Sequence, residues 1–196
     1  MTTQRRVKRA AARTGRVDWL LLAYRLPANS GLKSAVRRRL TAMGAVYPAN
    51  AIAVLPESPA AERAFRRLRS MIGEAGGSAQ VLRAETIEGE PELVAVFNTA
   101  REQEYAEIIA ECGNIIAGIE AMTSAGRFCH ADLDDKDAAL KGLSVRHETI
   151  RARDWFCASN ARSAVSSLAK CHAVLDAFAK RVYKADVGSR TRIDRG

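Results

Sequence analysis

The chain has 196 residues, 47% of them hydrophobic, with 31 Lys and Arg against 22 Asp and Glu for a net charge of +9. That length can bury a real core in one large or two small domains. No apolar run approaches the roughly 20 residues of a membrane helix, and the basic start holds no apolar leader segment, so no membrane partner and a cytoplasmic location are expected. The charge is uneven: residues 1–16 carry six basic residues and no acid, residues 17–88 ten basic against six acidic, and residues 89–186 twelve against fifteen. A basic front half and a mildly acidic rear half point to a polyanion-facing end.

In chain order, residues 1–16 read as a basic flexible tail, in which Arg5, Arg6, Lys8 and Arg9 are candidate contacts to a polyanion. The apolar run at residues 19–23 is followed by Tyr24, Arg25, Leu26 and Pro27, the pattern of a buried strand stopped by a proline that cannot donate to a ladder. Asn29 or Ser30 is placed to cap a helix in which Leu32, Val36, Leu40 and Met43 share one face, and Gly44 takes the C′ position. A turn at Tyr47-Pro48-Ala49-Asn50 joins two short strands, the second ending at Leu55-Pro56. Pro59 opens a second helix at N1, Ala61, Phe65, Leu68 and Ile72 line it, Gly76-Gly77 stops it, and residues 79–84 form a last strand. This order predicts an α+β protein whose residues 17–88 form a ferredoxin-like βαββαβ domain.

Gly89 and Pro91 mark a boundary, and residues 89–186 read as an all-helical bundle domain of four or five helices. Gly142 is a candidate break in the segment 132–156. In the last helix, capped by Asn160, Val165, Leu168, His172, Leu175, Phe178 or Ala179, and Val182 form the expected apolar stripe. Residues 187–196 read as a flexible tail.

Lys33, Arg37, Arg38 and Arg39 on the first helix and Arg66 and Arg67 on the second, with the tail residues above, are the candidate nucleic-acid or oxyanion ligands. Guanidinium offers paired donors to a phosphate-like oxygen pair. Stacking of bases on aromatic strand residues is excluded, since only Tyr24 and Tyr47 are available and no aromatic-glycine signature surrounds them. Glu104, Glu107 and Glu111 recur along one helical face, and with His130 and Asp134 they are the candidate metal ligands of a carboxylate site. Cys112, Cys129, Cys157 and Cys171 are too widely spaced for a zinc signature and read as buried thiols, with Cys129 and Cys157 as candidate redox sensors. No phosphate-binding glycine loop, nucleophile elbow or His-Glu-x-x-His motif occurs, so no catalytic residues, no enzyme activity and no cofactor are expected.

The motifs Trp19 through Pro27, Arg38-Arg39-Leu40, Gly44-Ala45-Val46, Val54-Leu55-Pro56 and Gly76-Gly77, followed by Phe97-Asn98, Glu104-Tyr105-Ala106-Glu107 and Arg153-Asp154, occur in an order that resembles the N-terminal part of the chromate resistance protein ChrB family. The resemblance covers about residues 18–184 and implies a short form lacking the C-terminal domain of longer members. It also implies a likeness to the central domain of PaaX-type repressors, a role in chromate-responsive transcriptional regulation, and DNA contacts from Arg37, Arg38, Arg39 and the N-terminal basic residues. Nucleases of CRISPR adaptation that share the expected fold carry an aspartate at the end of the first strand, where this chain has Tyr24-Arg25-Leu26-Pro27. DNA, chromate or a related oxyanion, and a second copy in a homodimer are the expected partners. The alternative is a metal- or oxyanion-responsive interaction module with a carboxylate-rich helical domain that binds no nucleic acid.

Overall fold

Trp19, Leu20 and Leu22 are almost fully buried, and the strand that carries them takes a central place in the sheet. The computed structural model describes residues 17–28 and 31–193, with side chains through Asp186. Its elements are β1 (Asp18–Arg25), α1 (Leu32–Ala42), β2 (Val46–Ala49), β3 (Ile52–Pro56), α2 (Pro59–Glu74), β4 (Ser78–Glu85), α3 (Glu90–Ser124), α4 (His130–Ala152) and α5 (Ala161–Ile193). The protein is α+β, with a four-stranded antiparallel sheet in the order β2-β3-β1-β4. The expected cap residues Asn29 and Ser30 lie outside the described residues; Gly31 is the N-cap of α1 and makes no side-chain cap. On α2, Ser58 caps through its hydroxyl, which accepts from Ala61 N at 3.1 Å, and Pro59 follows it.

The described residues fall into two compact units, one running to residue 101 and taking in 152–158, the other made of residues 102–151 and the described chain from 159 onward. The expected boundary at residues 88–89 thus runs between β4 and α3, whereas the first turns of α3 group with the sheet.

In the first unit the register sets Leu20 opposite Leu55 and Arg83, and Leu22 opposite Ala53 and Val81. Opposed residues share a face, so Leu20, Leu22, Tyr24, Val81 and Arg83 lie together. Arg83 pairs with Glu62 of α2 at 2.8 Å, which identifies this as the helix-covered face. Val36 and Leu40 of α1 and Phe65, Leu68 and Ile72 of α2 complete that core. Trp19 points to the other face and stacks on Phe97 at 5.6 Å, with Phe156 at 6.0 Å closing an aromatic trio. Such contacts add roughly 0.5–1.5 kcal/mol per pair beyond the area buried.

Gly44 turns the chain out of α1 with φ +77°. A Cβ there would stand 2.7 Å from Arg101 Nη1 and 3.0 Å from Arg153 Cβ, so both the backbone conformation and the space demand glycine. Arg153 Nη1 donates to Thr41 O at 2.7 Å, a cation on the exposed carbonyls at the negative end of α1.

The second unit holds three long helices where four or five were expected. Tyr105, Ile108, Cys112, Ile115 and Ile119 of α3 pack in its core with Leu140, Leu143 and Ile150 of α4 and Leu168, Leu175, Phe178 and Val182 of α5. Helix α4 runs unbroken through Gly142, because one glycine costs only about 1 kcal/mol and the flanking Leu140 and Leu143 are buried. On α5 the buried stripe uses Ala164 and Cys171, whereas the expected Val165 and His172 are exposed. The backbone of α5 continues to Ile193 where a tail was expected from residue 187. Asn160 Nδ2 donates to Glu102 O at 3.2 Å, and its carbonyl accepts from Ala164 N at the start of α5.

Candidate functional site

Helix α1 has one apolar stripe, Val36 and Leu40, buried on the sheet. The stripe turns the remaining positions outward, and Lys33, Arg37, Arg38 and Arg39 are all exposed. Among the described residues none of these four cations is paired with a carboxylate. The arginines of α2 differ: Arg66 is held by Glu62 at 2.7 Å, and Arg67 is exposed without a carboxylate partner among the described residues. Arg5, Arg6, Lys8 and Arg9 lie outside the described residues.

Arg37 has two neighbours that the sequence alone does not bring to it. Tyr24 is the last residue but one of β1 and Tyr47 stands in β2, the strands on either side of α1 in the chain. Both phenols titrate above their ordinary value of 10.0: burial is the largest cause for each, Tyr24 adds to the rise of Tyr47, and Arg37 pulls both back. Both therefore keep their protons at neutral pH. Arg37 acts electrostatically on both hydroxyls, and with Lys33 one turn earlier on the helix the set holds donors and no acceptor charge. It suits a phosphate or another tetrahedral dianion. Tyr24 and Tyr47 are poor stacking platforms, and their hydroxyls are the signal that a search for stacking passes over. Arg101, which carries no mark in the sequence, and Arg153 stand beside Gly44 at the other end of α1.

The acidic candidates are engaged with other groups. Glu111 and Glu107 of α3 both accept from Arg146 of α4, at 2.7 and 3.1 Å. Arg127 pairs with Asp132 at 3.0 Å, and the His130 ring meets Tyr183 edge-on at 5.3 Å. Glu104 lies one turn before Glu107 on α3, and Asp134 is exposed on α4. Among the described residues no group of three or more His, Cys, Asp or Glu side chains is placed to hold a metal ion.

The four thiols divide. Cys129 and Cys157 are exposed, which corrects their reading as buried thiols and leaves them accessible to an oxidant. Cys157 also adopts the left-handed φ of 63° that side chains seldom take. Cys112 and Cys171 are buried in the second unit and in contact with each other. Burial, the largest cause, pushes the Cys112 thiol up to about 11 and raises Cys171 as well, so both stay protonated and unreactive. Among the described residues no helix is long and apolar enough to cross a membrane.

No curated protein and no solved structure matches the chain. Residues 33–189 match the family model described as protein ChrB, N-terminal, a span that contains α1 after Leu32, the sheet from β2 onward and nearly all of the helical unit. With most of its length inside that match, the chain belongs to the ChrB N-terminal family and is a chromate-resistance related protein.

Proposed function

We propose that this chain is a chromate-responsive transcriptional regulator that binds DNA or another polyanion through the basic face of α1, as a cytoplasmic binding protein and not an enzyme. The observation that carries the reading is the exposed set Lys33, Arg37, Arg38 and Arg39, unpaired with acids among the described residues, with Tyr24 and Tyr47 within electrostatic reach of Arg37. Unpaired cations release counterions when they meet phosphates, and that release is the sequence-independent part of DNA affinity. Phosphate contacts of this kind position a duplex and do not read its sequence.

Chromate is a tetrahedral dianion. Seated at Arg37 it would draw on the same donors as a DNA phosphate and cancel two of the positive charges that attract the duplex. Chromate and DNA would then compete, and each would lower the affinity for the other by the same factor. Exposed Cys129 and Cys157 offer a second, oxidative route for chromate.

The test is a titration of the full chain with DNA from upstream of its own gene and with unrelated DNA, at two salt concentrations, with chromate or sulfate added. Tighter binding to its own DNA, released by chromate, supports the regulator. Release by sulfate as well assigns the effect to anion competition, and release by chromate alone assigns it to thiol oxidation. Equal, salt-sensitive binding to both DNAs reduces the reading to a basic surface. An absence of binding at low salt favours the second reading, an oxyanion-responsive module without nucleic acid, which rests on the same Arg37, Tyr24 and Tyr47. The metal-responsive half of that alternative draws no support from Glu107 and Glu111, since Arg146 holds both.

A further inference from the structure

The two edges of the sheet are built differently. At one edge β2 is four residues long, contains Pro48, and shifts register against β3 between Val46 and Ala49. Short length, proline and irregular pairing are devices that blunt an edge against further strand addition. At the other edge β4 is eight residues long, contains no proline, and pairs with β1 without a register shift from Asp18 opposite Glu85 to Arg25 opposite Ser78. Among the described residues no strand pairs with its outer side. Every second residue of an antiparallel edge strand directs its N–H and C=O outward, so β4 presents unused backbone donors and acceptors.

A groove of about 430 Å³ follows this edge, with Gln80, Val81, Leu82 and Arg83 on one wall and Arg66 and Arg69 of α2 on the other. Leu82, which faces the side of the sheet opposite Val81 and Arg83, is 45% exposed. The charges are unbalanced along the strand. Asp18 and Glu85 stand directly opposite each other at one end, a like-charge pair that destabilises the ladder. Arg69 has no carboxylate partner among the described residues. Because α2 and β4 are joined by a short turn and run in opposite directions, later positions of the helix lie over earlier positions of the strand. Arg69 therefore belongs to the end of β4 away from Glu85.

We propose that the open edge of β4 pairs antiparallel with β4 of a second copy of this chain, making one continuous eight-stranded sheet. A two-fold axis perpendicular to the sheet keeps each face on its own side, so opposed residues must have the same facing. Centred on Leu82, such pairing sets Leu82 against the second copy's Leu82 and Ala79 against the second copy's Glu85. It covers the exposed leucine and brings each copy's acidic end to the other's Arg69, twice by symmetry. That self-complementarity is what an isologous interface requires, and it distinguishes a second copy from an unrelated peptide.

The test is the mass of the full chain by light scattering and sedimentation across the micromolar range. The expected result is a concentration-dependent dimer. Arg69→Glu and Glu85→Arg should each weaken it by about tenfold or more, the double exchange should restore it, and Leu82→Lys should also weaken it. All three positions are exposed, and far-ultraviolet circular dichroism verifies that each variant is folded. A wild-type chain that is monomeric throughout, a dimer indifferent to these changes, or single losses that the double exchange fails to restore would each overturn the proposal.

Discussion

Helix α1 and the middle of α3 both concentrate charge, and their partners differ. On α1, Lys33, Arg37, Arg38 and Arg39 face solvent unpaired with carboxylates among the described residues. On α3, Glu107 and Glu111 converge on a single guanidinium, that of Arg146. The first set keeps its full attraction for an external anion. The second is held within its own unit by one guanidinium, which engages both carboxylates and offsets one of their two charges. A run of like charge in a sequence looks the same in both cases, and what separates them is a cation supplied by a helix 35 residues further along.

The largest effect should come from removing the unpaired set. Changing Arg37, Arg38 and Arg39 together to Gln should lower affinity for DNA at low salt by about tenfold or more. It should also flatten the logarithmic salt dependence by about 0.9 for each phosphate that the variant no longer neutralises. Folding stability should stay within roughly 0.5 kcal/mol of the parent, as expected for exposed positions. Fluorescence anisotropy at several salt concentrations and urea unfolding check the two halves. An unchanged salt slope would overturn this reading of α1 by showing that its cations do not meet the phosphates.

A smaller effect, in the opposite sense, should follow from Arg146→Ala. DNA affinity should not fall, whereas stability should drop by roughly 1 kcal/mol or less. The loss has two parts: two partly exposed ion pairs are broken, and Glu107 and Glu111 are left as a like-charge pair four residues apart. Thermal unfolding with and without added salt reads it. Salt should shrink the difference, since these groups are screened.

Much of the fold was legible because local chemistry and tertiary structure agree. Pro59 opens α2, Gly44 and Gly76 take positive φ at helix ends, the stripe of α2 is buried, and that of α1 is buried at Val36 and Leu40 and partly so at Leu32 and Met43. The failures come from residues whose identity underdetermines their neighbours. On α5 the larger Val165 and the ring of His172 drew the stripe one position away from Ala164 and Cys171. Small side chains carry little pattern signal but fit a close helix contact. The grouping of residues 152–158 with the sheet had no mark in composition, because it depends on where the chain returns and not on what it contains. The same limit hid the site. Arg37 was a sequence candidate, but Tyr24 and Tyr47 join it only because two strands separated by α1 end near that helix.

The smallest effect is also the most direct measure of that convergence. Tyr24 and Tyr47 are raised above 10.0 chiefly by burial and lowered in part by Arg37. The folded chain therefore holds these protons more tightly than the unfolded chain does. Their contribution to stability is fully present below pH 10 and is lost as pH rises through the higher folded values. Replacing Arg37 with Gln removes the opposing charge and should move both phenols further upward. Phenolate absorbance followed against pH should show the shift, and it should vanish when Tyr24 and Tyr47 are both Phe, leaving the signals of Tyr105 and Tyr183 unmoved. Sulfate, as a non-oxidising dianion, should narrow the difference between parent and Arg37→Gln by occupying the guanidinium in the parent alone. If Arg37→Gln left both phenols where they were, the cation would stand apart from the hydroxyls. The basic face of α1 would then be a general polyanion surface with no place to recognise a single tetrahedral anion.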